Sequence, residues 1–275
     1  MRQLASPRRA GRVLLAVVAA ILAGACGEKA PQTEAERLAR GREIIENMSS
    51  RLAAAQAITF NAHEVRDQLK GKGEVQRVTL VRQATMRRPD RLYIKTTGDM
   101  DNEIWYDGVG LTVVAHKDKV FAQAPMPKTL DRTLDAMHER YGVATPLGDF
   151  AYSSPAKALL TDTTKGGWVG RETIDGQETD HVAFTDTGVK WEVWIPTTGD
   201  PLPKKGIAEF SENKHLRRVE IAFSDWNLAA QVPDDRFKPA VPADYEGIAM
   251  LQRARVLKTM PPDDAGAPSG TAGKE

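Results

Sequence analysis

"EVQRVTLVRQATMRRPDRLYIKTTGDMDNEIWYDG", residues 74 to 108, decides the fold class of this 275-residue chain. Leu92 with Ile94 and Ile104 with Tyr106 fall two positions apart, the spacing of side chains on one face of a strand. The segment 74–88 is long enough for an extended strand, and Asp107-Gly108 supplies a tight turn after the third run. The period of two continues on either side. Upstream, Ile58, Phe60 and Ala62 alternate with Thr59, Asn61 and His63, and Gly71-Lys72-Gly73 turns that run into 74–88. Downstream, strands are expected over 91–97, 102–106, 111–116 and 120–123, with Lys117-Asp118 as a second hairpin turn.

Helical spacing brackets and interrupts this pattern. Thr33 and Glu36 form a T-x-x-E capping box, and Leu38, Ile45, Met48 and Leu52 make one apolar stripe behind it. Leu130, Leu134, Met137 and Tyr141 make another, stopped by Gly142, and Ser154-Pro155 gives a cap and first-turn proline for a short helix through Leu160. Strands resume at 167–174, 177–185, 189–195, 204–211 and 216–226, with Asp175-Gly176, Thr187-Gly188 and Glu212-Asn213-Lys214 as turns. The fold class is therefore mainly β (α+β), a single open antiparallel half-barrel of about eleven strands with helices packed in its concave face. Such a concavity is either filled by its helices or leaves a slot for an apolar ligand.

The first 25 residues follow another plan. Arg2, Arg8, Arg9 and Arg12 precede thirteen uncharged residues, 13–25, the layout of a secretory signal and too short for a permanent span. Two ends are open to it. Ala23-Gly24-Ala25 is an A-x-A cleavage site that would release a soluble periplasmic protein. Leu22-Ala23-Gly24-Ala25-Cys26 also resembles a lipobox, with Ala23 where the usual pattern has Leu. Cys26 is the only cysteine in the chain, and a lone thiol at the first mature position is better explained by acylation than by accident. An acylated Cys26 would anchor the chain to a membrane. Gly27 after it, by resemblance to lipoproteins with known destinations, favours an outer-membrane lipoprotein on the periplasmic side. The expected division is a signal peptide at 1–25, an acylated N-terminus and short tether at 26–33, the half-barrel at 34–250, and a disordered tail at 251–275, whose last stretch, 261–275, lacks aromatic and branched apolar residues.

Charge and motif content narrow the function. The leader holds four of the 38 Lys and Arg residues, so the remainder, with 37 Asp and Glu, is slightly acidic, and nucleic-acid binding loses its electrostatic driving force. His63, His116, His138, His181 and His215 are scattered, with no zinc spacing. Asp99, Asp101 and Glu103 follow a calcium-loop spacing, but Ile104 holds the place of its glycine and Gly110 that of its glutamate. Gly166-Gly167-x-x-Gly170 is expected to be a turn, since a strand rather than a helix follows. No nucleophile motif stands out, and His181 beside Asp180 is expected to be structural. No cofactor, no metal and no enzymatic activity is expected.

Several motifs together carry a resemblance. "RRPDRL" (87–92), "YDG" (106–108), "PKTLDRTLD" (127–135), "YGVATPLGD" (141–149), "WVG" (168–170), His181, Trp191, Trp194, "PLPKK" (201–205) and Trp226 resemble a family of predicted periplasmic proteins of unknown function. That family is grouped with the LolA/LolB-like fold of lipoprotein carriers and receptors, an unclosed half-barrel plugged by helices. The resemblance implies a non-catalytic protein that binds a lipid or a lipoprotein acyl chain, or an envelope module that binds a protein partner or senses stress. Candidates for lining a hydrophobic slot are Leu92, Ile94, Ile104, Tyr106, Trp191, Val193, Ile195, Val219, Ile221 and Phe223. The plain alternative for each is core packing beneath the helical stripes. Trp105 and Trp194 have the opposite parity and are expected on the outer face, open to a membrane, a partner or a covering loop. If Cys26 is acylated, the wild-type chain takes up labelled palmitate and Cys26→Ala does not; equal labelling of the two would remove the anchor.

Overall fold

The computed structural model describes residues 30–31, 33–69, 74–141, 148–212 and 215–251. Cys26, the signal segment, the Gly142 stop and the turns at 71–73 and 213–214 lie outside them. One compact unit begins at Pro31. Its first element is helix α1 (Glu34–Ala53), opened by the expected capping box: Thr33 Oγ1 accepts from Glu36 N at 3.1 Å and Glu36 Oε2 accepts from Thr33 N at 3.0 Å.

Six strands follow: β1 (Ala57–Leu69), β2 (Val75–Arg87), β3 (Arg91–Gly98), β4 (Asn102–Tyr106), β5 (Gly110–Ala115) and β6 (Val120–Pro125). Helices α2 (Leu130–Tyr141) and α3 (Pro155–Leu160) come next, then β7 (Lys165–Ile174), β8 (Gln177–Asp186), β9 (Val189–Pro196), β10 (Lys205–Glu212), β11 (His215–Asn227) and a last short strand, β12 (Glu246–Ile248). The sheet order is β12-β6-β5-β4-β3-β2-β1-β11-β10-β9-β8-β7, a single mixed sheet that does not close. Among the described residues it has twelve strands rather than about eleven. The additional one, β12, is three residues long and lies parallel to β6, too short to betray itself by alternation. Ser154 precedes α3 as expected, but its side chain makes no capping bond, and Pro155 at the first turn sets the helix start.

The three helices share one face of the sheet. Ile45, Met48 and Leu52 of α1, Leu130, Leu134 and Met137 of α2, and Leu159 and Leu160 of α3 join inward strand residues in one hydrophobic core. Each fully buried Leu, Ile or Met contributes about 1.5–3 kcal/mol.

The position of α1 is set by two glycines. A Cβ on Gly41 would stand 2.6 Å from Gly167 Cα, and one on Gly167, whose φ is 142°, would stand 2.3 Å from the Arg37 carbonyl oxygen. Helix and strand thus touch backbone to backbone. The Gly166-Gly167-x-x-Gly170 run is therefore not a turn: it lies inside β7, where its missing side chains admit the helix. Polar ties hold α1 to its other neighbours, from Arg40 to Asp180 of β8 at 3.6 Å, from Ala156 N of α3 to Ser49 Oγ at 3.0 Å, and from Arg51 to Asp200, after β9, at 2.7 Å.

The opposite face of β3 to β6 is covered by the chain after β11. Tyr93, Trp105, Val114 and Phe237 form a second core, with Phe121, Val232, Val241 and Tyr245 packed against it. Trp105 is 3% exposed, so the expectation of an open tryptophan is corrected: a returning strap covers it. Arg87 and Arg236 lie over the rings of Phe237 and Tyr93, at 5.2 and 5.0 Å, and Lys119 pairs with Asp244 at 3.0 Å. Burial and a 2.5 Å bond to Glu103 push the Tyr93 hydroxyl up to about 12.

Gly41→Ala tests the backbone contact because two effects oppose each other. In an open helix the change would stabilise by about 1 kcal/mol, whereas here the added methyl meets backbone and a net loss of about 1–3 kcal/mol is expected. A lower urea midpoint for Gly41→Ala would show the contact in solution, and an unchanged or higher one would refute it.

Candidate functional site

The antiparallel register arranges inward side chains of β1 to β6 in lateral rows. The first row is Ile58, Met86, Leu92, Tyr106, Leu111 and Ala124, all buried. The next is Phe60, Ala84, Ile94, Ile104, Val113 and Ala122, apolar throughout, and apart from Ala84 these residues are only half-buried. The third contains Arg82, Thr96 and Asn102, with Ala62 and Ala115 beside them. Rows are about 7 Å apart along the strands, and a row over six strands is about 24 Å wide. Polarity therefore changes from dry and apolar to half-open and apolar to polar within about 14 Å.

All ten residues expected to line a hydrophobic slot lie on this face, in or against the main core. Their environments differ. Leu92, Tyr106, Trp191, Val193, Ile195, Val219, Ile221 and Phe223 are buried, whereas Ile94 and Ile104 are half-buried in the second row. The Tyr106 hydroxyl donates to the Pro127 carbonyl at 2.5 Å, which fixes the loop entering α2 and leaves Tyr106 as part of the packed floor.

The polar end of this face was missed by the search for apolar alternation. Continuing the parity of Ile58, Phe60 and Ala62 brings Glu64 and Arg66 inward, and Arg82 occupies the same face of β2. Glu64 is 3% exposed. Its carboxylate accepts from Arg82 Nε at 2.8 Å and pairs with Arg66 at 3.4 Å, while Arg82 also donates to Thr96 Oγ1 at 3.1 Å. Burial pulls the Arg66 guanidinium below its ordinary value, Glu64 opposes that shift, and Arg82 and Arg217 add to it by like-charge repulsion. Arg66 Nε and Asn102 Oδ1 are buried without a hydrogen-bond partner. A charged pair inside a sheet face was legible only as a break in parity, at Glu64 in β1 and Arg82 in β2.

The remaining sequence candidates do not converge. Alternation sends Asp180 to the helix side, where it accepts from Trp168 Nε1 at 2.8 Å, and His181 to the outer side. His181 stacks on Trp194 at 4.1 Å between Glu172 and Glu192, 3.1 and 2.8 Å from its ring nitrogens. Trp194 is 5% exposed and also lies under Lys205, which corrects the expectation that it is open. Asp99 accepts from Thr79 N, and Glu103 is held by Tyr93 and His116. Among the described residues no group of three or more His, Cys, Asp or Glu is arranged to hold a metal ion. A groove of about 580 Å³ beside β7 is lined by Glu34, Lys165, Lys190 and Glu192 among others, and by none of the ten apolar candidates.

A family model described as a predicted periplasmic protein, DUF2092, matches residues 41–251. The chain belongs to the DUF2092 family. The match spans every strand and most of α1, so the motifs that suggested this family lie within one matched region. No curated protein matches. Among solved structures, an uncharacterized conserved protein of Thermus thermophilus is similar at 8% identity, over 76% of this chain and 98% of that one, with a TM-score of 0.46. A LolA superfamily protein of Nitrosomonas europaea is similar at 14% identity, over 73% and 98%, with a TM-score of 0.34. The Mycobacterium tuberculosis lipoprotein LppX is similar at 13% identity, over 70% and 97%, with a TM-score of 0.40.

Glu64→Gln leaves the guanidiniums of Arg66 and Arg82 facing each other without their shared carboxylate, and a loss of about 3 kcal/mol in unfolding free energy is expected. Adding Arg82→Met removes one stranded charge and is expected to recover more than half of that loss. A double variant as unstable as the single one would show that lost packing, rather than charge, is the cause.

Proposed function

We propose that this DUF2092 protein binds a hydrophobic ligand, a lipid or a lipoprotein acyl chain, on the helix-bearing face of its half-barrel, and retains or transfers it without chemistry. The observation that carries this reading is the second row, where Phe60, Ile94, Ile104, Val113 and Ala122 present a continuous apolar surface that the helices leave half-open. Burying even a few methylenes of a ligand there would contribute about 0.8 kcal/mol each. Membership of a family of predicted periplasmic proteins agrees with this reading. On the same reading Cys26 carries the acyl anchor and the domain works beside a membrane, with the outer membrane as its site.

A second reading is supported by the eight buried candidates. Where helices already cover the sheet the half-barrel is filled, as in a module that binds an envelope protein through its outer surface. The two readings separate on lipid content. The Cys26→Ala chain purified without detergent is expected to carry lipid detectable by mass spectrometry and to bind a fluorescent fatty acid, and Ile104→Asp to lose at least tenfold in that affinity while folding normally. A wild-type-like row that stays empty and fails to bind the fatty acid would leave the interaction module standing alone.

A further inference from the structure

The half-open apolar row ends against charge. Arg82 is one row from Ala84 and Ile94, about 7 Å along the strand, and Arg66 stands two residues beyond Glu64 on β1. Both guanidiniums share the single Glu64 carboxylate. Their side chains are 20% and 22% exposed, so each retains a path to solvent while its stem lies on the sheet. Arg217, on β11, is near enough to repel Arg66. Two donors or acceptors beside them are unsatisfied, Arg66 Nε and Asn102 Oδ1. A neutral hydrocarbon ligand would use none of this. An amphiphile with an acidic head would use the arginines, the unsatisfied Arg66 Nε included: its tail covers the second row, and its anion accepts from guanidiniums that otherwise repel each other.

We infer that the ligand is an acidic lipid, with its phosphate or carboxylate headgroup held by Arg66 and Arg82 and its chain lying across Ile94 and Ile104. The inference rests on the reading of this face as a lipid-binding slot. It adds a direction to binding, because the head is fixed at the polar row and the tail runs toward the helices. It also assigns Glu64 a purpose in the empty protein, where its carboxylate holds the two guanidiniums in place until an anion shares them.

Palmitoyl lysophosphatidic acid and monopalmitoylglycerol differ only in the phosphate, and glycerophosphate is the head without the tail. Titrated into the Cys26→Ala chain, the acidic lipid is expected to bind at least tenfold more tightly than the neutral one, and to weaken with added salt as the neutral one does not. Arg66→Gln and Arg82→Gln are each expected to lower affinity for the acidic lipid about tenfold and to leave monopalmitoylglycerol unchanged. The salt comparison on the unmutated arginines keeps the test valid if either variant unfolds. Equal affinity for the two lipids overturns the headgroup site while the apolar slot stands. Binding of neither overturns the slot as well, and glycerophosphate binding as tightly as the acidic lipid overturns the lipid in favour of a free anion.

Discussion

Everything on the helix-bearing face depends on a contact that contains no side chain. Gly41 and Gly167 let α1 and β7 meet backbone to backbone, closer than any pair of residues with Cβ atoms could approach. Because α1 sinks that far at β7, its stripe reaches the inward residues of β7 and β8, and Arg40 reaches Asp180. The helix is thereby committed to one half of the sheet. The other half, β1 to β6, is covered at its base by α2 and left half-open in the row above.

That division explains why one repeated sequence signal has two structural meanings. Trp191 and Val193 alternate in β9 as Leu92 and Ile94 do in β3, and nothing in their spacing tells the half-buried Ile94 from the other three, which are buried. What distinguishes it is what the assembled molecule lays over that row, which spacing along one strand does not record. Strand positions were legible to within a residue or two because alternation and turn residues are local physics. Helix starts were legible for a similar reason, as in the reciprocal bonds of Thr33 and Glu36. The glycines of β7 were visible but ambiguous, since a missing Cβ serves a turn and a close packing contact equally well. Trp105 and Trp194 were placed on the correct face and given the wrong exposure, because parity says which way a side chain points and not what later covers it. The Glu64 cluster was legible in principle, but only to a search that asked where alternation is broken by charge.

The outer face shows the same dependence on remote chain. Residues after Asn227 return across β3 to β6, seat Phe237 on Trp105 and Tyr93, and finish as β12 beside β6. Without that strap, β6 would present the row of unpaired backbone groups that makes exposed edges prone to association. On the other half, His181, Trp194 and Lys205 form a stacked column, with Glu172 and Glu192 at the two ring nitrogens of the histidine. The family places this architecture among predicted periplasmic proteins. The features that distinguish its two faces are the half-open row and the shared carboxylate beside it.

The sheet order carries a consequence for how the molecule is made. Two neighbouring strands near its middle, β1 and β11, come from opposite ends of the domain, and Asn61 meets Asp225 across 164 residues of chain. Each half of the sheet can pair locally, hairpin by hairpin, but the seam between them must wait for almost the whole sequence. The seam is therefore the pairing that brings together the most distant parts of the sheet, and without β11 the two halves have no strand between them. A chain that emerges from its N-terminus would present β1 to β6 long before β11 arrives to join them to the other half of the sheet.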